Sequence, residues 1–151
     1  MKTITNIKDI LTRWITDYLK NKDILDKKIQ KIEKGGKTKS EPQILIQYPE
    51  KKLSIYVQPF LKSFEPILKK EKKESHIAVV VLNVHENLKV LLDEWKKVIG
   101  YPNLTVYFVN PDSENENRWV IYPYTHNMWC DVKSLKAGLI SLFQTVEEYG
   151  S

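Results

Sequence analysis

The sequence predicts an α/β fold, a mixed sheet sandwiched by helices, on three observations. Strand-like and helix-like segments alternate through the second half of the chain, the order that builds parallel crossovers. The stretch "HIAVVVLNV" (residues 76–84) is apolar and rich in β-branched residues, as suits a strand covered on both faces. Earlier, "QILIQY" and "LSIYVQ" flank the polar turn "PEKK" and read as an antiparallel hairpin.

The elements follow in order. Ile7, Ile10, Leu11, Trp14, Ile15, Tyr18 and Leu19 recur at helical spacing and put one apolar stripe on a first helix. Lys8, Arg13, Asp17 and Lys20 fall outside that stripe, and Asn6 with Asp9 reads as its start. Residues 24–33 admit helix or strand: Ile29 and Ile32 are spaced for a helix, whereas the Gly-Gly beyond them suits a hairpin arm, which we prefer. "KGGKTKSEP" is a turn. After the hairpin, Phe60, Leu61, Phe64, Ile67 and Leu68 suggest a helix, with Pro66 in its first turn, where a missing N–H costs nothing.

Beyond the central strand, Asn83 with Glu86 resembles a capping box. Leu88, Leu91, Leu92, Trp95 and Ile99 form a helical stripe that Gly100 and Pro102 stop. "LTVYFVNP" is a strand, "DSENEN" a turn, and "RWVIYPY" a strand that Pro123 assigns to an edge. Leu135, Leu139, Leu142, Phe143 and Val146 make the buried side of a closing helix.

With 42% hydrophobic and 28% charged residues the chain is globular rather than disordered, and 151 residues fit a single α/β domain over 1–151. Cys130 is the one cysteine, which rules out an internal disulfide and suits a cytoplasmic setting. No apolar run approaches the roughly 20 residues of a membrane span, and the N-terminus lacks the apolar core of a signal peptide, so no membrane partner is expected. The charge is uneven. Residues 1–75 hold 18 Lys/Arg against 10 Asp/Glu, a net of +8, and residues 76–151 hold 6 against 9, a net of −3. A basic half of this kind serves either a polyanionic partner or simple solvation.

Two stretches bear on chemistry. "EPQILI" opens one hairpin strand with Pro42-Gln43, and the next strand ends in Gln58-Pro59-Phe60. The element order and this hairpin resemble the PD-(D/E)XK, or restriction-endonuclease-like, nuclease superfamily, whose members have a first helix, a three-stranded meander, a helix and a further strand. The resemblance covers residues 5–110 and leaves an extra C-terminal strand and helix. It implies a divalent-metal site built from a Pro-Asp pair and a Glu-x-Lys, the metal polarising a phosphate and acidifying a water. Here Gln43 and Gln58 stand at both carboxylate positions and Phe60 at the lysine. Neutral amides hold a hard cation poorly. The resemblance therefore implies a degenerate metal site, no catalytic residue, no metal and no cofactor: an inactive nuclease module that binds or scaffolds in nucleic-acid metabolism.

Lys37, Lys39, Lys51, Lys52, Lys62, Lys69, Lys70, Lys72 and Lys73 are the candidate nucleic-acid-binding residues, giving sequence-blind and salt-sensitive contacts. The alternative is a protein–protein adaptor working through the loop "YPYTHNMWC", whose Tyr122, Tyr124, His126 and Trp129 form either a recognition surface or a lid over the core. A further alternative is a metal-dependent nuclease with a non-standard carboxylate set drawn from Glu41, Glu50, Glu65, Asp93 and Glu94. "HNMWCD" offers His126, Cys130 and Asp131, fewer ligands than a closed zinc site uses. Glycine-rich phosphate loops and the GxSxG elbow are absent from the sequence, which argues against P-loop, dinucleotide and serine-hydrolase chemistry.

Overall fold

A computed structural model describes residues 4–36 and 41–150 of the chain. It is an α/β sandwich built on one mixed, six-stranded sheet. The elements are α1 (Ile4–Lys22), β1 (Lys31–Lys34), β2 (Ile44–Gln47), β3 (Lys52–Val57), α2 (Glu65–Leu68), β4 (His76–Leu82), α3 (His85–Asp93), α4 (Trp95–Val98), β5 (Leu104–Val109), β6 (Arg118–Ile121), α5 (Pro123–Trp129) and α6 (Leu135–Phe143). The strands lie side by side in chain order. β1, β2 and β3 form an antiparallel meander, β3, β4 and β5 run parallel, and β6 returns antiparallel as an edge, as Pro123 implied.

The period of each element sets the layers. Along β4, Ile77, Val79 and Val81 face one side, and Ala78, Val80 and Leu82 the other. The first side packs under α2, α3, α4 and α6 through Phe64, Ile67, Leu91, Trp95, Leu139 and Phe143. On the second, α1 is the only helix among the described residues, with Ile7, Leu11, Ile15 and Leu19 against Ile44, Ile46, Ile55 and Val80. Both crossovers, β3 to β4 and β4 to β5, place their helices on the first side, as right-handed connections advancing in one direction must. The winding never reverses. The sheet therefore has no switch point of the kind at which doubly wound folds open a crevice for ligand.

Several local expectations need correction. Asn6 lies inside α1, which already includes Ile4, so it does not cap the helix. Residues 24–33 are neither all helix nor all strand. After α1 the chain turns, the Asp23 carboxylate accepts the N–H groups of Lys28 and Ile29, and β1 begins at Lys31. The helix expected from Phe60 shrinks to Glu65–Leu68, because side chains elsewhere take the N–H groups of the lead-in: Leu61 donates to Asn87 Oδ1 and Phe64 to Glu94 Oε1. Pro66 does sit in the first turn of α2. Asn83 does not cap α3; the cap position is Val84, and the Asn83 amide is engaged in the core. The stripe from Leu88 to Ile99 is interrupted at Glu94, where α3 ends and α4 starts. Residues 123–129 form α5 rather than a loop, with Pro123 in the first helical turn.

Candidate functional site

Antiparallel pairing of β2 and β3 brings Gln43 and Gln58 to the same end of their hairpin. Gln43 directly precedes β2, donates its backbone N–H to Ile55 O at 2.7 Å, and reaches Gly36 O with Nε2 at 3.3 Å. Gln58 directly follows β3, is half-buried, and donates its backbone N–H to Val80 O at 2.9 Å. Gly35 and Gly36 fit here for a steric reason: a Cβ on Gly35 would strike the Pro42 carbonyl, and one on Gly36 the Glu41 side chain.

The carboxyl ends of the parallel strands are closed by three buried asparagines. Asn83 Oδ1 accepts the Trp119 indole N–H at 2.7 Å, and its Nδ2 donates to the carbonyls of Phe143, Val146 and Glu147 at 3.0–3.3 Å. Asn87 Nδ2 donates to Pro59 O and Leu82 O, both at 2.8 Å, and its Oδ1 accepts Leu61 N–H. Asn110 Nδ2 donates to Glu147 O at 3.0 Å. These amides serve backbone groups of the chain itself and the Trp119 indole, so the end of the sheet where α/β proteins usually seat a ligand is occupied by residues 59–61 and 143–147.

The candidate lysines divide between places. Lys37 and Lys39 lie outside the described residues. Lys51 and Lys52 occupy the β2–β3 turn and the start of β3, and the pairing of Leu53 with His76 puts the start of β4 at the same end of the sheet; Lys72 and Lys73 precede β4 in the turn before it, with Glu71 and Glu74 on either side. His76 registers this surrounding: burial first, and then the Lys51 charge, pull its imidazole below the usual range. Lys62 follows β3, beyond the opposite end of that strand. Lys69 bonds Glu65 at 3.1 Å on the face of α2, and Lys70 is exposed next to it.

The aromatic segment is anchored on one side and open on the other. Pro123 is buried, His126 meets Trp95 edge-on at 5.8 Å, and Asn127 Oδ1 accepts the Trp95 indole N–H at 3.1 Å. Trp129, 82% exposed, Met128 at 64% and Val132 at 76% face outward with Tyr122 and Tyr124. Tyr122, Thr125, His126 and Trp129 also line an open hollow of about 260 Å³ against β6.

The carboxylates considered for a metal are dispersed. Glu65 meets Lys69 and Lys97, Asp93 meets Lys89, and Glu94 accepts Ser63 Oγ–H and Phe64 N–H at 3.0 Å. Glu41 stands beside Gly36, and Glu50 is in the β2–β3 turn. Among the described residues no three His, Cys, Asp or Glu side chains converge as metal ligands would. No helix among them is long and apolar enough to cross a membrane.

One feature has no local signature in the sequence. A groove of about 720 Å³ runs between α1 and the β1–β2 hairpin. Lys8, Arg13 and Lys20 from α1 and Lys34 from β1 line it, with Asp9, Asp17 and Gln43. Helical periodicity puts the α1 cations off the apolar stripe, but only the tertiary placement of the hairpin makes a groove of them. No family model, no curated protein and no solved structure matches this chain.

Proposed function

We propose that the chain is a non-catalytic module of restriction-endonuclease-like type, elaborated by a C-terminal strand and helix, that binds nucleic acid without cutting it in a reducing, cytoplasmic setting. The observation that carries this reading is that the exposed Lys51, Lys52, Lys72 and Lys73 all stand at or just before the ends where β3 and β4 begin, which the Leu53–His76 register puts on one side of the molecule. Several exposed cations at one end of the sheet favour contact with a phosphate backbone and carry no sequence information. The order α1, three-stranded meander, α2, β4 supports the fold reading. Gln43 and Gln58 at one hairpin end support the loss of chemistry, since an amide contributes a carbonyl dipole but no negative charge.

The test is a labelled duplex titrated with the protein at low salt, in the presence of Mg²⁺ or Mn²⁺. A mobility shift with intact strands is expected. Metal-dependent cleavage would remove the non-catalytic part of the reading.

A second reading, a protein–protein adaptor, is favoured by the exposed cluster of Trp129, Met128 and Val132. Absence of any shift at low salt would support it over the first.

A further inference from the structure

The groove between α1 and the β1–β2 hairpin differs in position and in shape from the surface that carries Lys51, Lys52, Lys72 and Lys73. It is walled by a helix on one side and by the first hairpin on the other. Among the described residues four cations line it, and none of these, Lys8, Arg13, Lys20 and Lys34, forms an ion pair there; the pairs present involve Lys31, Lys69, His85, Lys89 and Lys97. Unpaired cations gathered in a cleft focus a positive field there. Asp9 and Asp17 also line the groove, so its formal charge is positive but reduced.

We propose that this groove holds the phosphate backbone of a single-stranded nucleic acid. The inference rests on the nucleic-acid-binding reading above and adds to it a second place, for a single strand. Lys8 and Lys20 are twelve residues apart on one helix, about 18 Å along its axis, enough for several consecutive nucleotides. A flexible strand follows a concave groove, whereas a duplex presents a convex cylinder that meets only its rims. Ile32 and Ile44 line the groove, but among the described residues no aromatic side chain does, so bases gain no stacking platform from them and binding is indifferent to sequence. Gln43 adds an amide that both donates and accepts hydrogen bonds, suited to a sugar or phosphate oxygen and unsuited to a bare cation.

The experiment is fluorescence anisotropy with a labelled oligothymidylate of about 20 nucleotides. Four proteins are compared: the full chain, the groove variant K8Q/R13Q/K20Q/K34Q, the sheet-end variant K51Q/K52Q/K72Q/K73Q, and D9N/D17N. The groove variant is expected to bind at least tenfold more weakly, with a log–log salt slope shallower by about 2 to 3. D9N/D17N is expected to bind severalfold more tightly, a gain that misfolding does not imitate. Full binding by the groove variant, with no gain in D9N/D17N, would overturn the groove assignment and leave the nucleic-acid reading standing. Failure of the full chain to bind the oligothymidylate would overturn the groove assignment, and failure to bind the duplex as well would remove both. Equal affinity for the matching duplex would overturn the single-strand assignment.

Discussion

The indole N–H of Trp119, on β6, donates to Asn83 Oδ1 at 2.7 Å, while the same amide's Nδ2 serves the carbonyls of Phe143, Val146 and Glu147. One side chain thus ties the end of β4 to the sheet edge and to the segment following α6. Asn83→Ala leaves an indole N–H and several carbonyls without a partner inside the core, each costing about 1–3 kcal/mol. A loss of about 3–5 kcal/mol in unfolding free energy is expected by urea titration. A loss under 1 kcal/mol would mean that the network carries no weight.

Glu94 performs a comparable task for α2. Its carboxylate accepts Phe64 N–H and Ser63 Oγ–H at 3.0 Å from the break between α3 and α4. Glu94→Ala removes a capping acceptor, at a cost of about 1–2 kcal/mol in urea. Glu94→Gln keeps an oxygen for Phe64 and is expected to lose less.

The pH dependence of stability has two flanks. Burial lowers the imidazoles of His76 and His126 below 6.5, with Lys51 adding to the effect at His76. The unfolded chain then binds more protons than the folded one, so stability declines as pH falls below about 6.5. On the alkaline side, burial raises the hydroxyls of Tyr48, Tyr56 and Tyr107 above 10.0, and for Tyr56 the 2.6 Å bond to Glu71 adds to it. Their stabilisation is complete below pH 10 and is lost as pH rises beyond it. Urea midpoints should therefore form a plateau between about pH 7 and 9.5, and His76→Gln with His126→Gln should flatten the acid flank.

Trp129 stands clear of the core. Trp129→Ala is expected to change stability by less than about 0.5 kcal/mol. A larger loss in a urea titration would assign the side chain to the core's cover rather than to an open surface.

Periodicity made much of this architecture legible. The α1 stripe, the two-sided burial of β4 and the edge position of β6 all follow from spacing and from Pro123. The shared hairpin end of Gln43 and Gln58 follows from antiparallel pairing alone. What escaped is non-local. Asn83 reads as a helix cap, yet its partners lie 36 to 64 residues away, and no local pattern signals them. Pro123 marks a strand end and opens a helix equally well, so α5 was hidden behind the first meaning. The cations of α1 become a groove only when the hairpin folds against them.

The most direct measurement is the affinity for a labelled nucleic acid in Mg²⁺ from about 50 to 200 mM salt, with strand length then checked on a denaturing gel. Binding whose logarithm falls linearly with the logarithm of salt, on strands that stay intact, is the expected result. Binding insensitive to salt, no binding at the lowest salt, or shortened strands would contradict it.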